Sequence, residues 1–192
     1  VQQKTLYPWD GSVQLAVKAA PDRLFTLRLR IPGWCKGWSV RLNGQPLAGV
    51  KPEKGFLAIE RRWRAGDVAE LDFPMEIRRV YADPRVEADR GRVALMRGPI
   101  VFCLEDCDNE APVDRIILPR DAKLRSRFRP DLLGGVMTIE GEALAWTLQA
   151  QGGKPKAVLA KVPIRAIPYY AWDNRGLAKM SVWRPRTVER RL

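Results

Sequence analysis

The sequence predicts an all-β protein made of two antiparallel, β-sandwich-like modules. Three observations lead there. Apolar and polar residues alternate with a period of two along most apolar segments, the mark of half-buried strands. Fifteen prolines and fifteen glycines divide the 192 residues into short runs, the cadence of sandwiches and barrels. No segment sustains the 3.6-residue period of an amphipathic helix.

Taken in order, Val13, Leu15 and Val17 face one way against Gln14 and Lys18. Phe25, Leu27, Leu29 and Ile31 oppose Thr26, Arg28 and Arg30. Pro32-Gly33 ends that strand, because proline has no N–H to give to a ladder. Trp38, Val40 and Leu42 start another, which runs into Asn43-Gly44. That dipeptide is a strong hairpin signal, since both central positions of a type I′ turn need positive φ. Residues 56–60 and 68–73 read as two strands, with Arg64-Ala65-Gly66-Asp67 as the turn between them.

Alternation resumes after Pro74, at residues 77–81. Residues 92–96 and 100–104 flank a Gly98-Pro99 turn. Residues 116–118, 136–139, 144–148, 158–162 and 180–183 complete the strands. Pro130-Asp131-Leu132-Leu133 is expected to make one helical turn ended by Gly134. Residues 149–155 read as a polar, glycine-bearing loop. The boundary falls near residues 74–79, giving a first module over 1–76 and a second over 77–192. The first has about six strand candidates, few for a closed sandwich. It is expected to lack strands that lie upstream of Val1, and the missing initiator Met suggests a cut from a longer chain.

Composition excludes several function classes. The chain is 46% apolar and 29% charged, which fits a folded globular protein. No apolar run approaches the roughly 18 residues of a membrane span, and the first residues lack a signal peptide's apolar segment. There is no histidine, which rules out Ser-His-Asp triads, Cys-His dyads and imidazole acid/base chemistry within these residues. The net charge is +12, yet the basic residues are scattered on the polar faces of strands. The densest basic stretch, residues 115–129, follows an acidic one, residues 105–114, so their fields offset.

Cys35, Cys103 and Cys107 are odd in number, so no full disulfide framework exists. Cys103 and Cys107, with Glu105 and Asp106, lack the C-x2-C spacing of a zinc site. Buried free thiols are expected instead, and these mildly favour a cytoplasmic, reducing compartment. Asp106-x-Asp108-x-Glu110 opens like a calcium loop but lacks its central glycine and distal glutamate. Glu105, Asp106, Asp108, Glu110 and Asp114 are therefore expected to be a solvated loop. A glycosidase acid/base pair needs a fixed separation across a cleft, which one loop supplies poorly. The seven tryptophans are expected mainly to pack. Trp34, in a Pro-Gly turn, is the more ambiguous candidate for stacking on a sugar ring.

Several phrases recur in a familiar order. Tyr7-Pro8-Trp9-Asp10-Gly11 precedes Leu29-Arg30-Ile31-Pro32-Gly33-Trp34-Cys35 and Leu42-Asn43-Gly44. Gly91-Arg92-Val93-Ala94-Leu95 and Arg97-Gly98-Pro99-Ile100-Val101-Phe102-Cys103-Leu104-Glu105 follow. Then come Phe128-Arg129-Pro130-Asp131-Leu132-Leu133-Gly134-Gly135, Ile167-Pro168-Tyr169-Tyr170-Ala171-Trp172-Asp173-Asn174-Arg175-Gly176 and Met180-Ser181-Val182-Trp183. In this order they resemble the C-terminal part of the β-L-arabinofuranosidase family, glycoside hydrolase family 127.

The resemblance implies a parent enzyme in which a helical (α/α)6 barrel carries catalysis and β-sandwich domains follow. It places a zinc-held cysteine nucleophile in that barrel, and Cys35, Cys103 and Cys107 match none of the zinc-site cysteines. No catalytic residue, metal or cofactor is therefore expected in this chain. The implied partners are the N-terminal catalytic barrel, a second copy in a homodimer, and carbohydrate through the parent enzyme. Neither nucleic acid nor membrane is expected. Trp34, Trp172 and Arg175 stand in the shared motifs as candidate sugar or interface contacts. Two other readings stay open. A carbohydrate-binding module would show exposed planar rings. An Arg-rich nucleic-acid binder would show one basic face and steep salt dependence.

Overall fold

A computed structural model describes residues 1–151 and 154–188. The fold is all-β with antiparallel pairing, and the described helical residues are confined to single 3-10 turns. The chain divides into two compact units, Val1–Glu76 and Ile77–Leu192. No helix among the described residues is long and apolar enough to cross a membrane.

The first unit contains β1 (Gln2–Thr5), β2 (Ser12–Ala16), β3 (Leu24–Arg30), β4 (Ser39–Leu42), β5 (Gln45–Pro46), β6 (Phe56–Arg62) and β7 (Val68–Asp72). Five strands form a sheet in the order β1-β2-β7-β4-β5, and β3 pairs with β6 in a second sheet. The side-chain period of two decides what each strand buries. Leu29 on β3 and Leu57 and Ile59 on β6 point inward, while Arg28 and Arg30 stay exposed. They meet Val40, Ala69 and Leu71 from the larger sheet in one apolar core. Trp63 is buried in this core, and its indole N–H donates to Phe25 O at 3.1 Å.

The Asn43-Gly44 turn is a two-residue hairpin, with Leu42 paired to Gln45 and φ of 51° and 78° at its central residues. Its asparagine also reaches out of the turn. Asn43 Nδ2 donates to Asp67 Oδ1 at 2.8 Å, and Asn43 Oδ1 accepts from Val68 N at 2.8 Å. Asp67 Oδ2 accepts from Arg64 N at 2.8 Å. One asparagine and one aspartate thus bind the β4–β5 turn to the β6–β7 turn. These bonds, that from Asn43 first, hold the Asp67 carboxyl below its ordinary range.

The second unit contains β8 (Ile77–Val80), β9 (Arg92–Arg97), β10 (Ile100–Glu105), β11 (Ile116–Ile117), β12 (Leu124–Arg129), β13 (Val136–Gln151), β14 (Lys154–Pro168), β15 (Met180–Ser181) and β16 (Arg184–Pro185). They form one sheet whose main path is β11-β13-β14-β10-β9-β16. β12 adds to β13, β15 to β10 and β8 to β9. The sheet curls until its ends meet: Leu118 N, just past β11, donates to Pro185 O on β16 at 2.8 Å. The enclosed core includes Val93, Leu95, Phe102, Leu104, Ile116, Ile139, Ala143, Ala145 and Ile164.

Four local expectations need correction. The segments at 136–139 and 144–148 are one strand, β13, and the expected break at Glu140-Gly141-Glu142 is paired throughout with β14. The expected loop at 149–155 is mostly strand, because pairing continues out to Gln151 and Lys154; Gly152 and Gly153 lie outside the described residues. Residues 130–133 are not helical but belong to the turn between β12 and β13. Leu133, Gly134 and Gly135 all have positive φ there, which ends any helical run. Strands β1 and β12 were not expected. Both are largely exposed and are defined by their partners more than by an apolar face.

Gly44→Val should lower stability by about 1 kcal/mol or more, since a β-branched residue resists positive φ. An unchanged denaturation midpoint would contradict the turn assignment. The Asp67 contribution carries a definite sign. A depressed carboxyl stabilises the fold fully above its ordinary value of 3.8 and loses that effect as pH falls through the folded value. Asn43→Ala should therefore lower stability at neutral pH and flatten its decline below about pH 4.

Candidate functional site

The acidic stretch is where the structure departs most from expectation. β10 is buried along its last four residues, Phe102 to Glu105, so Glu105 enters the interior with the strand that carries it. Glu105 is only 1% exposed. A 3-10 turn, Asp106–Asp108, then folds the Asp108 side chain back, leaving it 3% exposed. Asp106 is also engaged, with its Oδ1 accepting from Val113 N at 2.7 Å. Of the five acids expected in a solvated loop, Glu110 and Asp114 are exposed.

Two buried carboxylates need a counter-charge, and Arg175 supplies it from the loop after the Tyr169–Ala171 turn. Its Nη1 donates to Asp108 Oδ1 at 2.9 Å, while Nη2 donates to both Glu105 Oε2 and Asp108 Oδ2. Glu105 Oε1 accepts from Asp173 N at 2.9 Å. Asn109 completes the frame: its Nδ2 donates to Glu105 O at 2.7 Å and Arg165 O at 3.1 Å, and its Oδ1 accepts from Arg165 N at 2.9 Å. Hydrogen bonding to Asp108, ahead of that to Glu105, raises the Arg175 pKa against the opposing effect of burial. The guanidinium remains charged and holds the Trp172–Gly176 loop to the end of β10.

The three residues singled out from sequence fall in two places. Trp172 and Arg175 belong to the same loop of the second unit. Trp172 is half-buried against Cys103, Ile167 and Ala171. Trp34 belongs to the first unit, packed on its core with its ring edge-to-face to Phe73 at 6.2 Å. Glu105 and Asp108 as partners of Arg175 were not expected. The residues are about 70 positions apart, and no local pattern joins them.

Donor atoms of Glu105, Cys107 and Asp108 lie within 4.8 Å of one another. They do not fit the zinc that the resemblance implies for the parent. A guanidinium already sits on both carboxylates. Desolvation, reinforced by Glu105 and Asp108 and opposed by Arg175, raises the Cys107 thiol pKa, away from the thiolate that a metal needs. Cys35 and Cys103 are buried as expected, but Cys107 is exposed, on the turn that leaves the strand. Burial first, then Glu105 and Asp108, push the Cys103 thiol up to about 12.

Both units match models of one family. Residues 1–75 match "Beta-L-arabinofuranosidase, GH127 middle domain", and residues 77–185 match "Glycoside hydrolase family 127 C-terminal domain". The chain is 35% identical to the non-reducing end β-L-arabinofuranosidase of Bifidobacterium longum subsp. longum, over 97% of its own length and 30% of that relative. Among solved structures it resembles a GH127 β-L-arabinofuranosidase from Geobacillus stearothermophilus T6, with 47% identity and a TM-score of 0.86. That match covers 96% of this chain and 30% of the solved one. A GH127 β-arabinofuranosidase is 38% identical, with a TM-score of 0.87 over 96% of this chain and 31% of that one. The chain thus spans about a third of the length of these relatives.

Arg175→Leu leaves two buried carboxylates without their cation, a change that costs about 3–5 kcal/mol. The second unit should melt lower by on the order of 10 °C; a shift near zero would remove the ion cluster from any structural role. At mildly alkaline pH, Ellman's reagent should titrate Cys107 in the folded chain and all three thiols in denaturant. Fast reaction of more than one thiol in the folded chain would contradict the burial of Cys35 and Cys103.

Proposed function

Because the chain belongs to glycoside hydrolase family 127, of which it comprises the middle and C-terminal domains, we propose that it is the noncatalytic accessory region of a β-L-arabinofuranosidase-type enzyme. In this reading the two β units pack on the parent's catalytic barrel. The second unit contributes a homodimer contact, and the carbohydrate partner is the parent enzyme's substrate. The nucleophile and the zinc belong to the rest of the parent protein.

One observation carries the noncatalytic reading. Glycoside cleavage needs two carboxyl groups on opposite sides of the bond, about 5–5.5 or 6.5–9.5 Å apart. Glu105 and Asp108 instead share one guanidinium, with their oxygens committed to Arg175 and the Asp173 amide. A carboxylate so bound has no open side from which to attack a sugar. The cluster's evident task is to hold a loop.

The folded chain, verified by a single cooperative unfolding transition for each unit, should release no product from an aryl β-L-arabinofuranoside above the buffer rate. A chelator should leave its thermal midpoints unmoved. Turnover that disappears in Glu105→Gln or Cys103→Ala would place catalysis in this chain and overturn the proposal.

A further inference from the structure

We propose that the outer face of β12, β13 and β14 is a binding site for a neutral polyhydroxylated ligand the size of one or two sugar rings. The inference goes beyond the accessory reading and does not depend on it. The site is a cleft of about 560 Å³ whose lining includes Asp108, Lys123, Arg125, Glu140, Glu142 and Arg165. Ligand pockets run from about 300 to 1,000 Å³.

Strand register builds this cleft. Arg125 pairs with Glu140, and Glu140 pairs with Arg165, so the three side chains form one cross-strand row. Glu142, two residues on from Glu140, stands on the same face. The backbone between them is close-packed. A Cβ on Gly141 would come within 2.4 Å of Lys123 O, so glycine lets β13 lie against the chain that enters β12.

The charges in the row are paired but not hydrogen-bonded to one another. Glu140 is 9% exposed. Its oxygens lie 3.7 Å from Arg125 Nη2, 3.7 Å from Arg129 Nη1 and 3.6 Å from Arg165 Nε. Arg165 Nη1 is 3.6 Å from Asp108 Oδ1. Each separation exceeds the roughly 2.7–3.2 Å of a hydrogen bond. Among the described residues, Arg165 Nε is buried with no hydrogen-bond partner, and the Glu140 carboxylate accepts only a long bond from Thr138 Oγ1 at 3.4 Å. The cleft therefore presents donors and acceptors side by side with capacity unspent.

A hydroxyl group suits that arrangement, because it donates to a carboxylate and accepts from a guanidinium at the same time. Other ligand classes suit it less. Four acids line the cleft against three basic residues, so an anion would meet Glu140. A cation would meet the arginines already seated on it. Adjacent hydroxyls on a sugar ring would engage Glu140 and Arg165 together, with Arg125 and Glu142 at the rim.

The test is a titration of the isotopically labelled chain with L-arabinose, followed by amide chemical shifts, with inorganic phosphate in a parallel series. Saturable shifts centred on Glu140, Gly141 and Arg165, with a millimolar constant and no such response to phosphate, are expected. The variant Arg125→Ala/Glu142→Ala should bind about tenfold more weakly at an unchanged melting temperature, since the Arg125 side chain is 76% exposed and Glu142 is exposed. Glu140→Gln should abolish the response. No saturable shift with L-arabinose, shifts confined to other residues, a response to phosphate alone, or undiminished affinity in the Arg125→Ala/Glu142→Ala variant would each overturn the proposal.

Discussion

The second unit depends on one cation placed between two buried anions. Removing a carboxylate from water costs several kcal/mol even after the protein relaxes. Glu105 and Asp108 are both taken out of water by the path of the backbone, one at the end of a buried strand and the other on the turn that follows. Arg175 is the group that makes this tolerable. Its planar fork reaches both carboxylates with directed N–H bonds, which a lysine ammonium would do less well. The Asp173 amide adds a further donor on Glu105. Loop position, strand burial and charge compensation are therefore one problem with one solution. Trp172 is seated against Cys103 and Ile167 as a result of that anchoring.

Much of the fold was legible in the sequence because half-buried strands write a period of two. Leu29 between Arg28 and Arg30, and Leu57 and Ile59 across from them, show it directly. The Asn43-Gly44 hairpin was legible because few residues accept its backbone angles. What escaped was set by partners distant in sequence. β1 offers Gln2-Gln3-Lys4-Thr5, a polar run that becomes a strand by adding to β2. β13 looked like two strands because Glu140-Gly141-Glu142 interrupts its apolar pattern. That interruption is the charged cleft, seen in sequence as an irregularity. Local rules break where a second requirement competes with the fold.

The candidate site shows the same division. Trp172 and Arg175 were found through shared motifs, and the structure places them in one loop. The acidic stretch was visible as charge, but its burial was not, because composition cannot tell a solvated carboxylate from one waiting for a partner 70 residues on. Trp34 shows the converse. In a Pro-Gly turn its ring was open to either reading, stacking on a sugar or packing, and the structure sets it edge-to-face on Phe73 against an apolar core.

The curled sheet of the second unit also sets an order of events. Its strand β16 pairs Arg184 with Val93, about ninety residues back in the chain. The first unit needs no such reach, since its most widely separated ladder partners, Ser12 with Asp72, lie closer in the chain. During synthesis the first unit can be complete while the second still waits for its last strands to leave the ribosome. Contacts of long sequence separation form slowly because loop closure comes before the reward of pairing. Until Arg184 arrives, β9 keeps part of one edge open and the core behind it uncovered. The unit is consequently most exposed to misassembly in the interval between the synthesis of β9 and that of β16.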